Sequence, residues 1–325
     1  MLEARRVYDG QSIGPVEARE SRTPSRDRSA GAGRPDLVIV GAASRDLTDR
    51  DPRGWRLGGT ATYASLAAAR LGLRVGCLLG VDDLAAGADE IHLLAGAGVK
   101  LRRVLLRHGP VFENVETGGH RRQRWLSGSE PMPVDALPDA WRGAAGWILG
   151  PIAGELPDAW SAVGPVDALI GLGWQGLLRT FGPHGWVERR APAESPLVER
   201  AGLLCASVDD LPPGFALEEL RRLAGGAASA VVLTDGANGG IAFDGPGLIK
   251  YQALAAEAVA DPTGAGDVFL AALMVAWLVT GQRATARSLH FAAAAGSLAV
   301  EGLGLAGVPS RAAVAARLRA GRARD

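Results

Sequence analysis

Seven residues late in the chain, Asp261-Pro262-Thr263-Gly264-Ala265-Gly266-Asp267, join an unshielded backbone to a carboxylate. Two glycines flank an alanine, so no bulky side chain covers the N–H groups from Gly264 to Asp267. The apolar run Val268 to Val279 follows and reads as a buried helix, which makes those N–H groups its first turn. First-turn N–H groups lack intrahelical acceptors and sit at the positive end of the helix dipole, so they form an anion site. Asp267 would repel the anion that such a site should hold, unless the carboxylate has chemistry to do. Phosphoryl transfer fits: a phosphoryl group rests on the N–H groups while Asp267 takes a proton from an attacking hydroxyl.

Other chemistries lack their residues. A lysine-based phosphate loop needs Lys after a glycine at a helix start. The two lysines, Lys100 and Lys250, follow Val99 and Ile249 instead. A dinucleotide fingerprint would need glycine where Phe269 stands, and near the first strand rather than late in the chain. No serine occupies a Gly-x-Ser-x-Gly elbow, and the five histidines include no pair four apart, which argues against a zinc hydrolase.

The elements that must position this site follow from pattern. Leu37-Val38-Ile39-Val40 is a β-branched run ending in Gly41-Ala42-Ala43 and reads as a buried strand. Gly58-Gly59 precedes a helix over Thr60 to Leu71, with Thr60 as its N-cap and Gly72 as its stop. Strands are expected at Arg74 to Leu79 and Lys100 to Leu106, with one amphipathic helix between them over Asp82 to Ala97. Further strands fall at Trp147–Leu149, Ala168–Ile170, Leu203–Cys205 and Ala230–Leu233, then a hairpin at Gly239–Phe243 and Leu248–Leu254. Helices are expected over Leu217–Leu223, Gly264–Val279, Ala284–Val300 and from Ser310. This alternation predicts an α/β fold, a doubly wound, mostly parallel sheet flanked by helices. Segments near 49–57 and 110–126 depart from it. Their polar alternation suits a small β-sheet lid over a cleft, with a turn at Gly118-Gly119. The surroundings of His184 read as a loop without an assigned place.

The chain has 325 residues, 47% hydrophobic and 22% charged, enough for one large α/β domain or two smaller ones. Its formal net charge is zero and no basic block lies near the site, so a nucleic-acid binder is not expected. Arg311 to Arg324 suit the polar side of a last helix. Cys77 and Cys205 lie in apolar segments without ligand spacing and read as buried residues of a reducing compartment. The longest apolar runs are too short to span a bilayer, and residues 1–34 lack the apolar core of a secretory signal. The expectation is a disordered tail over 1–34, a kinase domain over 35–325, no membrane partner and a cytoplasmic location.

With these pieces in place the sequence resembles the ribokinase family, the PfkB carbohydrate kinases. Asp261 to Asp267 is close to that family's Asp-Thr-x-Gly-Ala-Gly-Asp. Gly58-Gly59 with Thr60-Ala61-Thr62-Tyr63-Ala64 resembles its acceptor side, and Val231 to Gly240 its nucleotide-side strand and turn. The resemblance implies ATP as donor, Mg²⁺, and a small polyhydroxylated acceptor: a sugar, inositol or nucleoside. It also implies Asp267 as base and the Gly264, Ala265 and Gly266 N–H groups as the anion hole. Asp46, Gly58, Gly59 and Tyr63 would meet the acceptor, and Thr234, Gly236 and Gly239 the nucleotide. Tyr63 stands where many relatives have Asn, and Ser207-Val208-Asp209-Asp210 replaces an Asn-x-x-Glu, leaving Asp210 to meet the metal through water. An open lid edge invites a homodimer. A non-catalytic sugar or nucleotide sensor on the same fold is the alternative, favoured if the altered Ser207–Asp210 block fails to hold Mg²⁺.

Overall fold

The computed structural model describes residues 33–117, 120–216, 218–220, 230–245 and 247–322. The expected tail over 1–34, but for its last two residues, and the Gly118-Gly119 turn lie outside the described residues, as does most of the Leu217–Leu223 helix.

Leu37–Ala42 is buried along its whole length because its side chains alternate between two cores. Leu37 and Ile39 face one side, with the helices Thr60–Arg70, Ala265–Thr280 and Ala286–Ala299. Val38, Val40 and Ala42 face the other, with Trp147, Trp160 and Trp174. A strand covered on both faces suits a parallel sheet, and that is what forms. Nine strands run in the order Lys100–Leu105, Val75–Val81, Leu37–Ala42, Gly146–Leu149, Leu169–Gly173, Leu203–Ser207, Ala230–Thr234, Gly240–Asp244 and Gly247–Tyr251. All neighbours are parallel up to Ala230–Thr234, and the last two strands add antiparallel. The expected doubly wound sheet with a hairpin at its end is the observed one.

A separate four-stranded sheet has the order Trp55–Gly58, Ser44–Leu47, Val111–Thr117, His120–Ser127. Its first half thus comes from strands on both sides of Asp49–Gly54, one of them upstream of the expected 49–57 segment. Both outer strands meet their own chain: Arg124 bridges to Trp186, and Trp55–Gly58 packs beside Gly304–Gly307.

Three local expectations change. Thr60 is the first helical residue rather than the cap; Gly59, at φ 98°, takes the cap position without a side-chain bond. The helix expected over Asp82–Ala97 is two short ones, Asp83–Ala86 and Asp89–Gly96, because Gly87 ends the first turn that Asp82 caps through the Ala85 N–H at 2.8 Å. The region of His184 is a small antiparallel hairpin, Arg179–Phe181 with Val187–Arg189.

Candidate active site

The parallel strands end together, and the loops at their carboxyl ends gather the candidate residues, as expected of an open α/β sheet. Close helix-on-sheet packing depends on missing side chains. A Cβ on Gly150 would lie 2.6 Å from Thr60, and one on Gly171 2.9 Å from Met274. Ala265–Thr280 thereby packs against Leu169–Gly173 and Leu203–Ser207.

Gly264 caps that helix at φ 78°, ψ −1°, a left-handed conformation that favours glycine. A Cβ there would also stand 2.3 Å from Cδ1 of Tyr63, so the Tyr63 ring lies directly on the Gly264 backbone. A Cβ on Gly266 would meet nothing within 4 Å. The Ala265 N–H donates to the Pro262 carbonyl at 3.3 Å, which leaves Gly264 and Gly266 as the better donors to an incoming anion. Asp261 braces the turn: its Oδ1 accepts from the Thr263 N–H at 2.9 Å, its Oδ2 from the Gly304 N–H at 3.3 Å, and Arg56 lies 3.5 Å away.

Asp267 is partly exposed in the first turn. Desolvation pushes its carboxyl up to about 6 against a hydrogen bond from the Thr60 hydroxyl; Asp210 and Asp46 push the same way and Arg179 opposes. A carboxylate raised toward neutrality is a better proton acceptor than an ordinary one. Thr60, expected to cap, instead holds the candidate base.

On the acceptor side, Asp46 lies in Ser44–Leu47 and accepts from the Ser44 hydroxyl at 2.8 Å. Gly58 gives it room, since a Cβ there would be 2.2 Å from its Oδ2. Gly59 passes under the Ala42 carbonyl, 2.6 Å from where its Cβ would be. Tyr63 is 3% exposed; desolvation, then the charges of Asp46, Asp261 and Asp267, hold its phenol well above the ordinary range, so it is a hydrogen-bond donor at any ordinary pH. Asp46, Tyr63, Arg56, Glu113, Asn114 and Asp261 line a cavity of about 810 Å³. Arg50 closes it from the small sheet by donating to the Ala260 carbonyl at 3.1 Å, and Arg56 ties back to the Arg50 carbonyl at 3.0 Å. Glu155, fully buried, ties the end of Leu37–Ala42 to the 152–155 turn: its carboxylate accepts from the Ala42, Ile152 and Ala153 N–H groups.

Asp46, Tyr63 and Asp267 thus share one electrostatic neighbourhood, and Asp210 joins it. Asp210 Oδ2 accepts from the Ser207 N–H at 3.0 Å in a capping box. Its Oδ1 accepts from Gln175 at 3.0 Å and faces Arg179 at 3.7 Å. Thr234 stands on the adjoining strand, in register with Ser207, and donates to the Ala206 carbonyl at 3.4 Å. Gly236 takes φ 48° in open space, suited to a ligand's close approach. Gly239 has a structural reason of its own: a Cβ would sit 2.1 Å from the Tyr251 carbonyl. Arg179 and Gln175 went unnoticed in the sequence; the available signal was their place just after a parallel strand's carboxyl end.

No group of three or more metal-ligating side chains occurs among the described residues. Mg²⁺ beside bound phosphates is in general held largely by phosphate oxygens and water with one or two carboxylates. Asp210 fits the water-mediated role, because a carboxylate offers about four lone-pair sites and the contacts above leave capacity.

Residues 212–311 match the pfkB family carbohydrate kinases. Fructoselysine 6-kinase from Shigella flexneri is 26% identical over 225 residues, 68% of this chain and 81% of the relative. Among solved structures, a pyrophosphate-dependent kinase of the ribokinase family, bound to a pyrophosphate analogue and myo-inositol, superposes with TM-score 0.68 at 18% identity. That likeness covers 86% of this chain and 99% of the other. Arabidopsis thaliana ribokinase with ribose and ATP gives TM-score 0.61 at 21% identity, covering 87% and 98%. The fold is ribokinase-like, and this likeness of fold extends over most of the chain.

Proposed function

We propose that this chain is a carbohydrate kinase of the pfkB type that transfers the γ-phosphoryl group of ATP to a hydroxyl of a small polyhydroxylated molecule, a sugar, inositol or nucleoside. One observation carries it: the Tyr63 ring, which lines the acceptor cavity, lies against Gly264 at the helix start that bears Asp267. An acceptor in the cavity and a phosphoryl group on the N–H groups would therefore meet at the carboxylate.

In the proposed step, the acceptor hydroxyl loses its proton to Asp267 as its oxygen bonds to the γ-phosphorus. The bond from that phosphorus to the bridging oxygen breaks, ADP leaves with the electron pair, and Asp267 later releases the proton to water. The transition state is loose, so alignment and charge stabilisation matter most. Gly264 and Gly266 with Ala265 would supply the anion hole, and Asp46, Gly58, Gly59 and Tyr63 would orient the acceptor. Thr234, Gly236 and Gly239 would border the nucleotide. Mg²⁺, met by Asp210 through water, would neutralise donor phosphate charge when bound. Residues 35–325 would act as one kinase unit, with the small sheet as lid. A dimer through that lid would pair along one of its outer strands, Trp55–Gly58 or His120–Ser127.

One rival, a non-catalytic sensor that binds sugar or nucleotide, is favoured if the Ser207–Asp210 block fails to hold Mg²⁺. A screen over pentoses, hexoses, inositols, nucleosides and fructosamines, reading ADP release with ATP as donor and orthophosphate release with pyrophosphate, separates the two. Acceptor-dependent release supports the kinase; binding with no release under any combination supports the sensor.

A further inference from the structure

Residues 174–190 are the part of the cleft that the roles above leave unused. The segment leaves the end of Leu169–Gly173 as the 3-10 turn Trp174–Leu178 and doubles back as the hairpin from Arg179 to Arg189. It is held from two sides. Toward the small sheet, Trp125 stacks on Phe181 at 4.3 Å, Arg124 bridges to Trp186, and the Arg122 guanidinium sits 4.0 Å from the Trp186 ring. Toward the strand ends, Gln175 and Arg179 both address Asp210 Oδ1.

Carboxylates gather at the reacting end of the cleft: Asp210 and Asp46 both act on Asp267, and a phosphoryl group would add to their charge. The two lysines lie on the two outermost strands of the large sheet, at Lys100 and Lys250. Helix N–H groups supply only about half a charge. Arg179 is set among these carboxylates with its side chain 14% exposed, 3.7 Å from Asp210. A planar guanidinium fixed from behind by a carboxylate matches phosphate oxygens in pairs better than any lysine.

We propose that Arg179 is the cation that binds the transferred phosphoryl group, oriented by Asp210 and Gln175 and kept in place by the hairpin's stack against the lid. The assignment rests on the phosphotransferase reading for its chemistry. Its contact is with the γ-phosphoryl oxygens, so its signature is discrimination between ATP and ADP.

The test uses the full chain with Arg179→Gln and Arg179→Lys, checked for folding by thermal melting. Titration calorimetry with ATP and with ADP, both with Mg²⁺, gives the affinity ratio, and steady-state kinetics give kcat and both KM values. The expected result for Arg179→Gln is ATP binding at least ~10-fold weaker with ADP binding unchanged, and kcat down at least ~10²-fold. Acceptor KM should stay within about threefold, and Arg179→Lys should fall between the two proteins. A folded Arg179→Gln protein whose ATP-to-ADP affinity ratio equals that of the unsubstituted chain overturns the proposal. So does a rise confined to acceptor KM, which would place Arg179 on the acceptor. A chain that binds ATP but turns nothing over would sink the kinase reading while leaving the affinity ratio to decide Arg179.

Discussion

Gly264 and Gly266 are two residues apart in sequence, yet alanine should do opposite things at the two positions. At Gly264 the backbone is left-handed, which costs an L-residue about 1–2 kcal/mol. The new Cβ would also stand 2.3 Å from a ring that is 3% exposed and has nowhere to go. Overpacking of that kind costs about 1–3 kcal/mol, so Gly264→Ala should lose about 2–5 kcal/mol. That is a large part of the ~5–15 kcal/mol that holds a domain folded. Gly266 lies inside the helix with no atom within 4 Å of an added Cβ, so Gly266→Ala should gain about 0.5–1 kcal/mol of helix propensity. The same methyl would intrude where the phosphoryl group is proposed to sit, and kcat/KM should fall ~10- to 100-fold. Urea unfolding with the midpoint read at unchanged slope checks the stabilities, and coupled ADP release checks the rates. A Gly264→Ala protein as stable as its parent would refute the packing account. A fully active Gly266→Ala protein would refute the anion hole.

Three further outcomes follow from the site. Asp267 has a folded pKa of about 6 against an ordinary 3.8, so its ionised form opposes folding above pH 6 and exerts nothing below about pH 4. Asp267→Asn should therefore be more stable by up to ~3 kcal/mol at pH 7–8, with the gain vanishing as pH falls through 6 to 4; melts across pH check it. The same group predicts an acid limb near pH 6 in kcat/KM of the unsubstituted chain, and a pH-independent rate over that range would contradict it. Tyr63→Phe keeps the ring on Gly264 but removes the donor, so acceptor KM should rise ~10-fold or more with donor KM unchanged, as initial-rate kinetics in both substrates will show. Asp210→Ala removes half of the Ser207 capping box and should cost about 1–2 kcal/mol in urea unfolding, with lower kcat from a loosened Arg179.

What the sequence made legible was local. Asp261 to Asp267 could be interpreted because the chemistry sits within one turn of helix, and the β-branched runs of the sheet because both their faces are covered. The proposed acceptor residues Asp46, Gly58 and Tyr63 were reachable through a resemblance, though nothing in their spacing says that Gly58 makes way for the Asp46 carboxylate. Thr60 was misread as a cap because a threonine before an apolar helix is usually one; here its hydroxyl goes to Asp267, a residue more than two hundred positions away. Arg179 escaped for the same reason. Its hairpin carries no clear periodicity, and its meaning arises only when Asp210, the lid aromatics and the Asp267 helix converge on it. Gly87, an ordinary glycine in an amphipathic stretch, split a helix whose pattern alone read as continuous.

The central claim is that Asp267 takes the acceptor's proton at a helix start holding the phosphoryl group. The direct measurement is acceptor-dependent ADP release by Asp267→Asn at saturating ATP, Mg²⁺ and the best acceptor from the screen. Loss of at least ~10² in kcat, with ATP affinity retained and the fold no less stable, is the predicted result. Near-normal turnover in a folded Asp267→Asn protein would contradict it.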